Sequence, residues 1–311
     1  MKNKQVNKLS NHFKSYIKQI TNFLLSILAY ILFYVIKLLL PMSVASLIGY
    51  VIGRFLLYPL PFQRKKEVLK NISLAFPQKS DKEIKQIYKK SCINFLQTIF
   101  ELPKFNSILK NNKYISIKDD YNLLPYSLDN SLLLFSAHTG NWEFGGSYTY
   151  TKNPNSYLIY KAPHNIFVEK LFLKMRSIES NHNHLITLNK KTILTLRDAI
   201  KNDKSSLGML VDQRIKEGLD VKLFNRPAKT SQLLPLLAIK HNVPLASMRV
   251  IRVNFCKFII EIDKAIEIDK KYYEKENQNE GIAILTQLMN DRIENWIKEY
   301  PSQWFWLHRR W

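Results

Sequence analysis

The spacing of apolar side chains predicts where helices form. Ser80-Asp81-Lys82-Glu83 has the composition of a capping box, and it opens a run with apolar side chains at helical spacing through Ile99. The same spacing predicts further helices near Asn141–Tyr150, Asn165–Ser177, Lys190–Asn202, Ser231–His241 and Glu280–Tyr300.

Short β-rich runs alternate with these helices. They predict strands at Tyr114–Lys118, Ser131–Ala137, Ser156–Tyr160, His184–Leu188, Leu207–Val211, Val221–Phe224, Leu245–Asn254 and Lys257–Ile268. Strands that alternate with helices are typical of an α/β fold with a mostly parallel sheet flanked by helices. The last two strands follow each other closely, so we expect them to pair antiparallel and make the sheet mixed. Reacting groups in such sheets collect at the carboxyl ends of the strands.

The first sixty residues have a different pattern. Residues 1–20 carry five lysines and no acid, and two long apolar stretches follow, from Phe23 to Ile36 and from Leu38 to Leu60. The first stretch is shorter than the roughly 20 residues of a straight membrane span, but counting on through Lys37 reaches that length. Both flanks are basic, so positive charge assigns no orientation to a single span.

Two interpretations of this segment compete. Ser43-Val44-Ala45 resembles a signal-peptide cleavage site that follows a basic start and an apolar run. Because the apolar character resumes directly after it, we favour an uncleaved membrane-anchoring helix, transmembrane or interfacial, at the cytoplasmic face of the inner membrane. The predicted organisation is an anchor over residues 1–60 and a catalytic domain over residues 61–311.

Composition narrows the possible partners. The chain has 311 residues, of which 46% are hydrophobic, which is enough for one large core. Its formal net charge is +22. The charge is either a by-product of a composition rich in Lys, Ile and Asn, or it serves to bind an anionic partner. Such a partner would be a membrane surface, a phosphorylated lipid, an acidic carrier protein or a nucleic acid. A nucleic-acid binder should cluster its basic residues, whereas these are spread along the whole chain, so we expect no nucleic-acid partner.

Metal and cofactor motifs are absent from the sequence. Cys92 and Cys256 lie in apolar runs and are interpreted as small buried hydrophobic residues. His182-Asn183-His184 has no Cys or acid at ligand spacing and predicts a surface loop. The chain contains no Gly-x-Ser-x-Gly elbow, Walker loop or dinucleotide fingerprint, so we expect no acyl-enzyme, metal or cofactor.

His138 has the sequence context of a catalytic residue. It directly follows the predicted buried strand Ser131–Ala137 and precedes Thr139-Gly140-Asn141-Trp142-Glu143. A turn at the glycine would return Glu143 to the imidazole. His138 would then act as general base, while Glu143 would fix its tautomer and offset its developing positive charge.

Spacing alone is weak evidence for that pair. With 25 acids in 311 residues, a histidine has an acid five positions later with a chance of about 8%. His164 and Glu169 have the same spacing, but they lie in a helical stretch with no strand before them. From the residues alone, His138 is either a catalytic base or a buried structural histidine.

Five blocks resemble one family. Ser136-Ala137-His138-Thr139-Gly140-Asn141-Trp142-Glu143 resembles the catalytic block of the bacterial lipid A late acyltransferases, the lauroyl and myristoyl transferases. Other blocks of that family are similar to Asn71–Pro77, Val211–Gln213, Leu223–Thr230 and Pro301–Trp311, in the same order along the chain. Two positions depart from the family pattern: Leu223 stands where Phe is usual, and Asn225 where Gly is usual.

The resemblance implies a fold, a reaction and a set of site residues. The fold would be glycerolipid-acyltransferase-like. The reaction would be direct transfer of a fatty acyl group from acyl-acyl carrier protein to a hydroxyl of a Kdo-bearing lipid A precursor, a phosphorylated glycolipid of the inner membrane. His138 and Glu143 would be catalytic, and the substrate-binding residues would be Asn141, Trp142, Arg176, Asp212, Gln213, Thr230, His308, Arg309 and Arg310.

Structural roles compete with several of these assignments. Asp212 and Gln213 are either a strand-end cap or contacts for the acceptor sugar or the pantetheine arm. Arg176 lies on a basic helix face or contacts a phosphate or the thioester oxygen, and His308-Arg309-Arg310 is a basic tail or a phosphate site. Two other functions also stay open. One is an acyltransferase for another lipid, such as a lysophospholipid, an acylated mannoside or an amino-lipid, and the other is a non-catalytic basic membrane-binding protein.

Overall fold

A computed structural model describes the protein at residues 21, 23, 26–59, 64–109, 113–163, 165–176, 185–187, 189–202 and 204–311. Its helices are α1 (26–39), α2 (Met42–Ile52), α3 (Lys65–Ala75), α4 (Asp81–Glu101), α5 (Phe105–Leu109), α6 (Leu123–Asp129), α7 (Glu143–Lys152), α8 (Ile166–Arg176), α9 (Lys190–Asn202), α10 (Leu233–His241) and α11 (Gln278–Glu299). Its strands are β1 (Ile115–Lys118), β2 (Leu132–Ser136), β3 (Ser156–Tyr160), β4 (Leu185–Thr187), β5 (Ser206–Leu210), β6 (Leu219–Leu223), β7 (Arg226–Thr230), β8 (Leu245–Asn254) and β9 (Lys257–Asp263).

Seven strands form one mixed sheet in the order β1-β9-β8-β2-β5-β3-β4. Every neighbouring pair is parallel except β8 and β9, which are antiparallel as predicted. All five residues of the central strand β2 are buried, because helices cover both faces of a parallel sheet and favour an uninterrupted apolar run there. The predicted α/β class with a mostly parallel sheet is therefore confirmed.

A separate two-stranded hairpin, β6 and β7, lies outside this sheet. Its turn residues Phe224 and Asn225 both have positive φ, +51° and +55°. Two left-handed residues in a two-residue loop form the turn that matches the twist of a hairpin, and Asn tolerates this conformation. The unusual Asn225 therefore fits the backbone it occupies. Strand β7 was not predicted, because its charged residues and Pro227 give it no strand pattern.

Helix α4 is the long amphipathic helix predicted from the capping box. The Ser80 hydroxyl accepts from the Glu83 amide, and the Ser80 amide donates to the Glu83 carboxylate at 2.9 Å. Helix α2 packs against α4 with its backbone in close contact. A Cβ added at Gly49 would come within 2.7 Å of Gln97 Cα, and one at Gly53 within 2.7 Å of Ile93 Cα.

The described part of the N-terminal segment contains the helices α1 and α2 and a helical turn, Gly53–Leu57, that follows α2. Pro41 separates α1 from α2, because its ring removes an amide donor and disfavours helical geometry at the residue before it. In the described residues no helix combines the length and the apolar composition that a membrane span needs, so the predicted transmembrane helix is not found. Large apolar side chains of this segment face outward, among them Leu28, Leu38, Leu39, Leu47 and Phe55.

Several smaller predictions can be compared with the structure. Cys92 and Cys256 are buried and unpaired, as expected. Helix α7 begins at Glu143, two residues later than predicted. Helices α3, α5 and α6 were not predicted. His164, His182 and His184 lie outside the described residues.

Candidate active site

His138 lies in a rigid turn directly beyond β2. At its centre Gly140 has φ +59°, and an added Cβ would come within 2.0 Å of the Val250 carbonyl oxygen, so only glycine fits. The Gly140 amide donates to the Gln303 carbonyl at 3.1 Å, and the Asn94 side-chain amide donates to the Gly140 carbonyl at 2.9 Å. Contacts from distant parts of the chain therefore fix the main chain around His138.

Asp212 is the hydrogen-bond partner of the His138 ring. One carboxylate oxygen lies 2.7 Å from His138 Nδ1, and the other accepts from the His138 amide at 2.9 Å and from Trp304 Nε1 at 2.7 Å. The two residues meet because β2 and β5 are parallel neighbours with Ser136 opposite Leu210. Each side chain comes two residues beyond its strand, at the carboxyl edge of the sheet.

Asp212 is held as a carboxylate in a buried position. Burial alone would raise the pKa of Asp212, but the positive charge that His138 and His308 can carry and the hydrogen bonds from His138 outweigh burial and hold it well below its usual range. The buried His308 ring lies 2.9 Å from the Asp212 carbonyl, and burial lowers the pKa of His308 despite the nearby carboxylate. An ionised Asp212 favours the tautomer of His138 that carries its proton on Nδ1.

Glu143 is not the hydrogen-bond partner of the His138 ring that the sequence suggested. Its carboxylate accepts two 2.7 Å hydrogen bonds from the Arg176 guanidinium and one of 3.1 Å from Trp142 Nε1. Burial would raise the pKa of Glu143, but the positive charge of Arg176 and, to a lesser extent, that of His138 lower it overall. This pairing has a simple cause: Asp212 reaches Nδ1 from the end of the neighbouring strand, while the first turn of α7 places Glu143 against Arg176 of α8.

The other ring nitrogen of His138 faces outward. Its Nε2 lies 3.3 Å from Gln213 Nε2, and the Gln213 side chain is exposed. The ring is flanked by Trp142, Phe305 and His308, with centroid distances of 5.2, 6.2 and 5.7 Å. With Nδ1 bonded to Asp212, Nε2 carries the lone pair and can accept a proton from a bound hydroxyl.

A narrow apolar cavity of about 40 Å³ lies beside Glu143 and Arg176. Aliphatic side chains line most of it, from Leu134, Leu158, Ile159, Met209, Leu210 and Met248. Gly146 belongs to its wall, and an added Cβ there would come within 2.6 Å of Leu158 Cδ1. The site thus combines a proton acceptor, a buried ion pair and an apolar recess.

Three residues expected to bind substrate have hydrogen-bond partners within the protein. Asn141 is fully buried and donates to Glu101 at 2.7 Å. Arg310 is buried, with its pKa lowered to about 10 by burial, and it donates to the Lys229 carbonyl at 2.8 Å and to the buried Thr230 hydroxyl at 2.6 Å. Thr230 and Arg310 therefore join the C-terminal residues to β7. Arg309 is exposed.

The sequence did not identify a second buried ion pair beneath the turn. Arg252 of β8 donates to both carboxylate oxygens of Glu101, at 2.6 and 2.9 Å, and Glu101 also accepts from Ser46 of α2 at 2.7 Å. Glu101 closes a stretch of α4, residues 91–100, that contains no other charged residue, and this was the available signal. This network connects the N-terminal helices to the turn that carries His138.

A His–Asp pair at the strand ends, with Nε2 facing outward near an apolar recess, is an arrangement suited to general-base catalysis. Comparison with family models makes this specific: the model of the bacterial lipid A biosynthesis acyltransferases matches residues 11–311. The chain therefore belongs to the bacterial lipid A biosynthesis acyltransferase family, as its sequence blocks predicted. No protein of curated function matches the chain.

Proposed function

We propose that the protein transfers a fatty acyl group from acyl-acyl carrier protein directly to a hydroxyl of a Kdo-bearing lipid A precursor. The observation that supports this proposal most is the orientation of His138. Asp212 accepts from Nδ1 at 2.7 Å, which leaves Nε2 to meet a substrate hydroxyl. Family membership supplies the acyl-transfer chemistry.

The reaction needs one proton acceptor and one stabilised oxyanion. His138 Nε2 takes the proton of the acceptor hydroxyl while its oxygen forms a bond to the thioester carbonyl carbon. As the C–S bond breaks, the imidazolium returns the proton to the departing sulfur. Asp212 offsets the positive charge on the ring, and the Arg176 guanidinium, held by Glu143, stabilises the oxyanion.

The surroundings of the site suit substrates with apolar and anionic parts. The recess beside Glu143 offers an aliphatic surface to the first methylene groups of an acyl chain. The outward-facing leucines of α1 and α2 suit contact with the inner membrane at its cytoplasmic face. A net charge of +22 suits an acidic carrier protein and a phosphorylated glycolipid, and we propose no nucleic-acid partner.

A related lipid acceptor is the second candidate. The departures at Leu223 and Asn225 suggested it, but Asn225 occupies a left-handed position that asparagine accepts. That position therefore gives no separate reason to prefer a lysophospholipid, an acylated mannoside or an amino-lipid.

The proposal is tested with purified protein, an acyl-carrier thioester and a panel of these acceptors, with products measured by mass spectrometry. We expect one added acyl group on the lipid A precursor and a loss of about 10²–10⁴ in kcat for His138→Ala. His241→Ala, a histidine on α10 away from the site, is the control and should retain full activity. Transfer to none of the acceptors, or equal activity of the two variants, would refute the proposal.

A further inference from the structure

A second cleft, of about 440 Å³, lies between the N-terminal helices and the sheet. Its walls come from α2 and the helical turn that follows it, from one face of α4, and from the loops near residues 254 and 303. The close packing at Gly49 and Gly53 brings Tyr50 and Arg54 to the same cleft as the α4 side chains Lys89 and Lys90. The two helices are thus held at a separation that brings their polar side chains together.

The cleft is strongly basic. Arg54, Lys89, Lys90 and Arg252 line it, and no Asp or Glu is among the described residues of its walls. Glu101 already balances the charge of Arg252 through two short hydrogen bonds. In the described part of the chain, no carboxylate forms an ion pair with any of the other three. Three cations that line one concave surface without an ion-pair partner among the described residues attract an anion much more strongly than the same charges spread over a protein surface.

The cleft opens beside an exposed apolar surface. Phe55 is 61% exposed and Leu56 is 58% exposed, and both directly follow Arg54. On the opposite wall Phe255 is 41% exposed. A phosphate of a membrane lipid lies at this kind of boundary, with hydrocarbon on one side and water on the other.

The floor of the cleft is also connected to the turn that carries His138. Asn94 lines the cleft and donates to the Gly140 carbonyl at 2.9 Å. Gln303 lines it too, and its carbonyl accepts from the Gly140 amide at 3.1 Å. An anion bound in the cleft therefore lies one layer of side chains away from the turn.

We propose that this cleft binds the phosphate group of a membrane lipid through Arg54, Lys89 and Lys90. The phosphate belongs either to the glycolipid acceptor, in which case the inference rests on the proposed function, or to the headgroup of a surrounding phospholipid. Tyr50 and Gln86 line the same cleft and supply neutral donors.

The test compares two variants that lose the same charge. Arg54→Ala/Lys90→Ala removes two cations from the cleft, and Lys201→Ala/Lys275→Ala removes two exposed cations from the part of the fold around α9 and residues 270–278. The first measurement is binding to vesicles of phosphatidylcholine, with and without about 30 mol% phosphatidylglycerol. The second is KM for the phosphorylated glycolipid in neutral detergent micelles with an acyl-carrier thioester.

Each cation strengthens binding to an anionic surface about fivefold. The cleft variant, which lacks two cations, should therefore show either about 25-fold weaker vesicle binding or an about 25-fold higher KM. A loss of binding to the anionic vesicles identifies a phospholipid headgroup, and a raised KM with kcat within about threefold of wild type identifies the acceptor phosphate. The control should change less than about threefold in both. Lys90→Glu, at an exposed position, replaces the double variant if that variant folds poorly.

A cleft variant that behaves like the control in both measurements overturns the proposal. A wild-type protein that acylates no acceptor refutes the proposed function instead. In that case the vesicle measurement alone decides the role of the cleft.

Discussion

Replacing Asp212 by Asn tests the arrangement of the site most directly. The carboxylate oxygen that accepts from the His138 amide and from Trp304 Nε1 has an amide oxygen in its place in Asn, so both hydrogen bonds survive. The other oxygen becomes an NH₂ group that faces His138 Nδ1. That group donates to Nδ1 and drives the ring proton to Nε2, the atom that has to accept the substrate proton.

The size of the effect follows from the distance between the charges. The 2.7 Å contact between Nδ1 and Oδ1 separates the imidazolium and carboxylate centres by roughly 4 Å, which is worth about 4 kcal/mol at an effective dielectric constant of about 20. Losing that stabilisation as the ring becomes charged lowers kcat by about 10³-fold, and the wrong tautomer increases the loss.

The assay is kcat for Asp212→Asn and for Glu143→Gln under one saturating substrate condition, with thermal stability measured alongside. If Asp212→Asn keeps more than about a tenth of wild-type kcat at an unchanged Tm while Glu143→Gln loses 10³-fold, then Glu143 and not Asp212 supports the base.

The same variant should differ from wild type in acid. Because the pKa of Asp212 is depressed in the folded protein, its carboxylate stabilises the fold above pH about 4, and this contribution is lost as the pH falls further toward the depressed value. Asp212→Asn lacks that contribution. Its free energy of unfolding should therefore fall less steeply than that of wild type below pH about 4, measured by urea denaturation.

Other predictions concern neighbouring residues. Glu143→Gln should lower the free energy of unfolding by about 3–5 kcal/mol, because it leaves Arg176 buried without its counter-charge. Glu169→Gln should change stability and turnover little, and Glu143→Gln/Arg176→Met should regain stability but not activity. Gly140→Ala should cost about 3 kcal/mol and most of the activity, measured by urea denaturation and kcat, because its Cβ would clash with the Val250 carbonyl. Deleting residues 1–40 should release part of the protein from membranes in a sedimentation assay. Full retention on membranes would contradict a binding role for that segment.

The fold was largely predictable because its elements have strong local patterns. The β2 run is apolar throughout, and α4 carries a capping box followed by helical spacing, so each identifies its own secondary structure. Helices α5 and α6 span only 5 and 7 residues, which is too short for periodicity to appear. The apolar content of the first sixty residues suggested a span, and in the described residues no helix has the length and apolar composition of one.

The residues of the active site were easier to predict from the sequence than the hydrogen bonds between them. His138 and Asp212 each end an apolar strand, and that was visible in the sequence. Their contact depends on β2 and β5 being neighbours, although β3 and β4 come between them along the chain. A strand order of this kind is decided by packing across the whole sheet. Sequence proximity therefore favoured Glu143, five residues away, over a partner 74 residues away.

The hydrogen bonds from distant residues that hold the His138 turn have a consequence for the order of folding. The Ser91 hydroxyl donates a hydrogen bond to the carbonyl of Trp304, which lies 213 positions later in the chain. The Phe305 amide donates to the His138 carbonyl at 2.9 Å. Contacts between such distant residues form late, because a long loop has to close before they can. The catalytic turn should therefore acquire its geometry after the sheet has formed. Transient release of residues 303–308 would then disorder the base without unfolding the sheet, and hydrogen exchange should report it as faster exchange at Gly140 than along β2.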